Sequence, residues 1–420
     1  MRAHVAAGFA LTIGIVCLGA RADATPQDLF GLGARTFSMG GTGTAFCNDY
    51  SCVHANPAGL SRVDQTSLTL GYAGASFGLR TTRFGGVDTH FGEDILRATI
   101  VGIATQLPVG LRDPYRLVLG IGLFLPINLI GRDRVLDANA PQFVILPDRA
   151  QVVGLQAGAG LSLPGGFRIG AGGSALAALS GSLFVTADSA GRVSWRIDDR
   201  LVVSYSASVG ASWERGPIRV GIVGRTPLVG HLDVRITARD LGINLPPFNI
   251  AGTPQYDPWE LGAEASFAHT GWTVALGAIM KFWGFYPGPL EATTTQSDRP
   301  PPPQFSHTVV PRVGVEHHWR WATSHAAVRA GYAYEPTPAP LPTAARAYMD
   351  NDRHIVTAGL GVGGRLRGTL MQVDVFAQLH ALAPRTAPAD PGTPAAIPAV
   401  REYSFGGTVL MLGATLTVSL

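Results

Sequence analysis

Leu201-Val202-Val203-Ser204-Tyr205-Ser206-Ala207-Ser208-Val209-Gly210-Ala211-Ser212-Trp213 alternates without a break. One face carries Leu201, Val203, Tyr205, Ala207, Val209, Ala211 and Trp213; the other carries Val202, Ser204, Ser206, Ser208, Gly210 and Ser212. A period of two places alternate side chains on opposite faces of a β-strand. Strands of soluble sandwiches run to about five or six residues, whereas a strand that crosses a bilayer needs about nine to eleven. This stretch is long enough to cross, with its apolar face toward lipid and its polar face toward a lumen.

The pattern recurs. In Leu370 to Ala381, Met371, Val373, Val375, Ala377 and Leu379 oppose Gln372, Asp374, Phe376, Gln378 and His380. At the C-terminus, Leu410, Leu412, Ala414, Leu416, Val418 and Leu420 oppose Thr415, Thr417 and Ser419. After residue 65 about fourteen such segments follow, each about ten residues or longer. Pro164-Gly165-Gly166, Glu214-Arg215-Gly216 and His269-Thr270-Gly271 are tight turns, while the intervening loops at 125–150, 240–255, 286–307 and 382–404 are long and often Pro-rich. Short turns on one side and long loops on the other are the outer-membrane arrangement, and they place both chain ends in the periplasm. Trp213, Phe267 and Trp272 beside tight turns, and Phe282, Trp283 and Tyr286 beside a long loop, read as interfacial girdles. Glu260, Glu264, Lys281, Arg219, Arg225, Arg329 and Asp374 fall on lumenal faces and are expected to be paired or solvated there.

Composition agrees. Charged residues make up 15% of the 420, against about 25% in soluble globular proteins. The net charge is +3, and no basic run marks a nucleic-acid footprint. Arg2 and His4 precede an apolar run from Val5 to Leu18 that ends at Ala20-Arg21-Ala22, the layout of a secretory signal peptide cut before Asp23. A lipidated Cys17 is disfavoured because Val16 before it is large. An exported, apolar chain with no second run long enough for a spanning helix implies a barrel. The expected division is 1–22 signal peptide, 23–65 plug and 66–420 transmembrane antiparallel β-barrel, an all-β fold of about fourteen strands.

Residues 23–65 lack strand alternation and hold Gly31, Gly33, Gly40, Gly41 and Gly43, followed by Asn56-Pro57-Ala58-Gly59. Pro57 fixes its own φ and biases Asn56 away from helix, Gly59 permits a backbone angle that a Cβ resists, and the Asn56 amide can satisfy backbone groups within a turn. An ordinary connector into the first strand is the simpler alternative. Cys47 and Cys52, in an oxidising compartment, are expected to form a local disulfide; two free thiols or a metal site with His54 are the other arrangements.

An enzyme is not expected. Gly74-Ala75-Ser76-Phe77-Gly78 matches G-x-S-x-G but lies within an alternating strand rather than at a strand-to-helix turn. The glycines at 31–43 lack the Lys-Ser/Thr of a phosphate loop. His317-His318 has no helical metal-binding context, and neither metal nor cofactor is implied.

The chain resembles the FadL-type outer-membrane transport family, which takes up long-chain fatty acids and, in TodX-like members, aromatic hydrocarbons. The resemblance is carried by Gly31-Leu32-Gly33-Ala34-Arg35, Met39-Gly40-Gly41-Thr42-Gly43-Thr44-Ala45, Asn56-Pro57-Ala58-Gly59, Trp283, Gly331-Tyr332 with Glu335-Pro336-Thr337-Pro338, and Asp352-Arg353-His354. It implies a monomeric fourteen-stranded barrel with an N-terminal hatch, inserted by the barrel-assembly machinery, that passes hydrophobic small molecules. Ligand would be caught by extracellular loops, held near the hatch and released sideways into the outer-membrane lipid. By position, Leu125, Ile127, Leu129, Ile130, Phe143, Val144, Ile145 and Leu146 would form the catching groove, and Gly120 and Gly122 a kink in the third strand that opens a lateral gate. A general diffusion porin, or a barrel of this type serving protein secretion or surface interaction, is the alternative. The chain departs from the family in its non-aromatic last residue, Leu420, and in its two cysteines.

Overall fold

A computed structural model describes residues 26–83, 89–90, 95–110, 113–127, 142–143, 145–146, 153–187, 193–239, 248–288, 302–343, 348–388 and 402–420. The expected signal peptide, and Leu129, Ile130 and Val144, lie outside the described residues.

Fourteen strands form one closed wall: β1 Ser67–Arg83, β2 Ile95–Gln106, β3 Leu117–Pro126, β4 Gly154–Ser162, β5 Phe167–Ala187, β6 Val193–Arg215, β7 Ile218–Arg225, β8 Glu260–His269, β9 Trp272–Lys281, β10 Thr308–Arg320, β11 Ser324–Glu335, β12 Arg353–Leu366, β13 Thr369–Pro388 and β14 Glu402–Ser419. Sequential neighbours pair antiparallel, and β1 pairs with both β2 and β14, from Ser67↔Ser419 to Arg83↔Tyr403, so no strand edge is left open. Closure between the first and last strands removes the free sheet edge that an apolar solvent would penalise. No helix among the described residues is long and apolar enough to cross a membrane, which bears on helices alone.

Alternation follows the sequence. Val203, Tyr205 and Val209 of β6 face outward and exposed, while Ser204, Ser208 and Ser212 are buried toward the lumen. In β13, Val373, Val375 and Leu379 face outward, and Asp374, Phe376, Gln378 and His380 inward. Two-residue turns join β8 to β9 and β12 to β13, with positive φ at Thr270 (45°) and Gly271 (83°) and at Arg367 (53°) and Gly368 (91°). Positive φ at both positions matches the right-handed twist of hairpin strands.

Three features differ from the sequence reading. Alternation through 217–239 reads as one strand, but the chain breaks at Thr226-Pro227, where proline has no N–H to donate. A second hairpin, Leu228–Arg239 with Phe248–Asp257, then leaves the wall, and its first strand runs parallel to β5 beyond the barrel. Trp283 is buried and not part of a girdle. Exposed rings do ring the turn side (Phe167, Phe267, Trp272, Trp319, Trp321), with Trp259 and Phe285 on the loop side.

Candidate functional site

The core of this molecule lies between its wall and its own N-terminus. Residues 26–66 fold into α1 Pro26–Phe30, α2 Ala34–Ser38, α3 Cys52–Ala55 and a 3-10 turn Pro57–Arg62, all within the lumen. The helices stay short because glycines in left-handed conformations interrupt them, among them Gly33 (φ 85°) and Gly40 (φ 67°).

Asn56 is fully buried and ties this segment to the wall. Its amide nitrogen donates to the carbonyls of Thr44 (2.8 Å) and of Ala211 in β6 (3.1 Å), and its Oδ1 accepts from the Ala58 N–H at 3.1 Å. Pro57 opens the 3-10 turn, where a missing N–H costs nothing. Gly59 is small for a different reason than the sequence suggests. Its φ is ordinary, but a Cβ there would come within 2.9 Å of both the Cys47 carbonyl oxygen and the Cys52 sulfur. Cys47 and Cys52 are joined as a disulfide, with Cα atoms 5.6 Å apart.

The wall is notched to receive the segment. A Cβ on Gly170 would lie 2.6 Å from the Pro57 carbonyl oxygen, one on Gly221 2.9 Å from Ala45 Cα, and one on Gly331 2.7 Å from Met39 Cα. Backbone meets backbone at these points, which only glycine permits.

Gly120 and Gly122, expected as a kink, leave room for side-chain tips of the segment. Added Cβ atoms would lie 2.5 Å from Leu60 Cδ2 and 2.7 Å from Leu32 Cδ2. The ladders of β3 with β2 and with β4 run through both positions without a register shift.

One arc of the inner wall holds the segment by charge. Glu316 in β10 takes a two-pronged bond from Arg35 of α2 (3.0 and 2.6 Å) and a third from Arg329 in β11 (2.6 Å), which also reaches Asp374 in β13 at 2.6 Å. Lys281 in β9, fully buried, bridges Asp28 of α1 and Glu335 in β11 at 2.9 Å each, and Arg353 pairs with Glu335 at 3.0 Å. The Glu264 carboxylate accepts from the Gly43 and Ala45 N–H groups at 2.9 and 3.0 Å. Burial, with Arg225 close by, holds the His54 imidazole well below its usual range, so that it accepts at Nδ1 from the Gln156 amide 3.2 Å away. The charges named from sequence as lumenal do face the lumen and are paired there.

The opposite arc is apolar inside. Across β13, β14, β1, β2 and β3 the inward side chains include Phe376, Met411, Phe77, Leu96, Ile100 and Phe124, all buried. Leu29, Phe30, Leu32 and Phe37 of the segment pack against them, with Phe37 stacked on Phe376 at 4.6 Å between centroids and Phe30 at 6.4 Å from Phe77. Barrel lumens are normally polar. Five adjacent strands that turn large apolar side chains inward, between polar ones such as Asp374 and Gln378 in β13, are therefore the feature that most sets this lumen apart.

On the loop side the apolar arc continues through Phe143, Leu146 and Met349, and a short parallel pairing ties 142–143 to 348–349. A second cluster stands beside it, where Tyr256, Trp283, Tyr286 and Phe305 lie 5.0–6.4 Å apart ring to ring, over Ile145 and Tyr348. Of the groove expected from sequence, Phe143 and Leu146 thus join one cluster and Ile145 the other. Leu125 does not join either. It lies on the outward face of β3, because the strand runs two residues past Phe124 and alternation turns it out; Ile127 follows it, exposed. The aromatic cluster itself was not read from sequence, since its members are distant in the chain and aromatic residues at strand ends read equally as girdle.

Cavities border the segment among the described residues, and two of them matter here. One of about 40 Å³ lies among Phe30, Thr36, His54, Ile279, Val310 and Ile355. A larger one of about 720 Å³ opens at the turn side and is lined by arginines.

No model of a known protein family matches the chain, and no curated protein matches its sequence. Solved structures do match its fold. A Pseudomonas aeruginosa FadL homologue aligns with a TM-score of 0.57 and 12% identity over 96% of this chain and 99% of that one. The P. putida toluene transporter TodX gives 0.56 and 13% over 94% and 99%. The Ralstonia pickettii toluene transporter TbuX gives 0.53 and 13% over 92% and 98%. At such identities the likeness is one of architecture, and it runs nearly end to end: this chain has the FadL-type fold.

Proposed function

We propose that this protein is an outer-membrane channel for hydrophobic compounds, exported by the signal peptide at 1–22, with residues 23–65 serving as its hatch. The apolar inner wall from β13 to β3 carries the reading. A water-filled pore gives an apolar solute no favourable contact, whereas each buried CH₂ gains about 0.8 kcal/mol at an apolar surface. Sites that bind modestly and in series let a solute enter and leave. The aromatic loop cluster suits first capture, and the FadL-type fold, shared with toluene transporters, supports the same substrate class.

The cavity of about 40 Å³ has room for a few water molecules, each needing about 10–15 Å³, and is far below the roughly 300–1,000 Å³ of small-molecule sites. Passage therefore requires the segment to shift and withdraw Phe30 and Phe37 from the wall. The same motion would pull Leu32 and Leu60 away from Gly120 and Gly122, leaving β3 without inward side chains at two positions. We place lateral release into the bilayer there, beside the apolar arc and away from the charged one. An open diffusion porin is disfavoured because the segment fills the lumen.

Deletion of residues 23–60, with the leader retained, tests the hatch. The truncated barrel should assemble, conduct ions more freely in planar bilayers, and bind a labelled aromatic hydrocarbon or fatty acid at least about tenfold more weakly, a loss of 1.4 kcal/mol. A truncated barrel that conducts and binds like the full chain would overturn the assignment.

A further inference from the structure

The arginine-lined cavity at the turn side belongs to neither the apolar arc nor the loop clusters. Its volume of about 720 Å³ is within the range of small-molecule sites, about 300–1,000 Å³. Arg62 comes from the N-terminal segment, Arg168 from β5, Arg219 from β7 and Arg320 from β10. Arg62, Arg168 and Arg219 all converge on one carboxylate, that of Glu214, at 3.2, 3.0 and 2.9 Å.

Three guanidinium groups against one carboxylate leave a surplus of positive charge in a recess, because arginine stays protonated at any ordinary pH. The neighbouring acids do not cancel it. Asp64 is taken by Arg116 at 2.6 Å, Glu316 by Arg35 and Arg329, and Arg320 makes no ion pair among the described residues. Within the cluster Arg168 Nε is buried without a hydrogen-bond partner, and it is an unspent donor. Burial, with Arg168 nearby, pushes Arg62 down to about 10, Glu214 opposing the shift. Structural ion-pair networks ordinarily balance their charges; this one is short of anion on the side that opens to water.

We infer that this vestibule is a binding site for a small multivalent oxyanion, a solute with two or more adjacent phosphate-type or carboxylate groups, held between Arg62, Arg168, Arg219 and Arg320 beside Glu214. Planar guanidinium forks match the paired oxygens of such groups. Glu214 acts as the resident counter-anion that gathers the arginines when the site is unfilled, and it competes with the incoming solute. Because Arg62 belongs to the segment and the other arginines to the wall, a bound oxyanion also fastens the segment at its turn-side end. The arginine face of the site is polar, with Phe46 and Trp272 at its border, and it does not depend on the hydrophobic-transport reading.

Calorimetric titration of the full mature chain in detergent at low salt, with pyrophosphate and separately with citrate, tests this without any hydrophobic ligand. One saturable site per barrel is expected for at least one of the two, the preferred probe telling phosphate from carboxylate chemistry. Arg168→Gln with Arg219→Gln should weaken it about tenfold or more, because two charge-assisted contacts are lost. Glu214→Gln should tighten binding several-fold, as the competing carboxylate is gone, which a merely structural role for Glu214 does not predict. If the double variant does not fold, Arg320→Gln, an exposed position, supplies the weakening arm. The inference is overturned if neither probe saturates on the wild type, or if binding is the same in wild type, Glu214→Gln and Arg320→Gln.

Discussion

The two arcs of the inner wall hold the same segment by opposite physics. From β13 through β14 to β3 the contact is ring on ring and branched chain against glycine, with Phe37 on Phe376 and Leu60 over Gly120. From β6 to β12 it is ion pairs and backbone hydrogen bonds, with Arg35 on Glu316 and Gly43 on Glu264. Dispersion contacts are non-directional and survive sliding; buried charges tolerate only a few geometries. Under the proposed function, the charged arc fixes where the segment sits, and the apolar arc is the face along which it would give way to a solute of similar chemistry.

If that division is right, damage to the two arcs should be read by different instruments. Glu316→Ala should have the largest effect. It takes from Arg35 its carboxylate and from Arg329 one of two, and because breaking a buried pair costs roughly 3–5 kcal/mol, a loss near the lower end is expected. Frequent conductance openings in single-channel recordings are expected, with hydrophobic-ligand affinity in the loop cluster retained. Closed, silent channels would show that the charges do not set the seat.

Next comes a pair that tests the wall's two faces. Val373→Arg turns a charge toward lipid and should destabilise the barrel by roughly 2–4 kcal/mol near the midplane. Gln372→Arg, one residue away, meets the lumen and should be far milder. Equal losses in denaturant titrations of the two variants would refute the register on which both arcs depend.

The smallest change should be Phe376→Leu, a near-conservative swap that removes the stack with Phe37 at a cost of about 1 kcal/mol. Ligand affinity should fall roughly fivefold while conductance stays at the wild-type level. A conductance change without an affinity change would reverse the roles assigned to the arcs.

Much of this was legible in sequence because a two-residue period survives wherever one face meets lipid. Leu201 to Trp213 and Leu370 to Ala381 announce their faces without help from any partner strand. The lumenal contents were less legible. Polar inward residues such as Glu264 and Asp374 stand out by alternation, but their partners lie far away in the chain, so pairing could be anticipated only in kind. The apolar arc was hidden for the opposite reason: Phe376 among Gln and Asp, or Ala75 and Phe77 in β1, blur the alternation and look like noise. The notches were hidden because close approach of two backbones leaves no mark except the absence of a side chain. Gly120 and Gly122 stand out for the same absence, and the leucine tips of Leu60 and Leu32 that lie against them leave no mark in the local sequence.

The glycine notches have a consequence for biogenesis. A wall whose inner surface is shaped to the backbone of one particular segment resembles a mould, and in the full chain the casting has to be inside before the mould shuts. The final ladder, Ser67↔Ser419 to Arg83↔Tyr403, begins one residue beyond that segment. Once zipped, it encloses side chains as bulky as Phe37, Phe46 and Tyr50, which would have to be threaded through a filled bore to arrive late. An expected order of assembly follows: residues 26–66 settle against the open sheet first, and the meeting of the first and last strands seals them in.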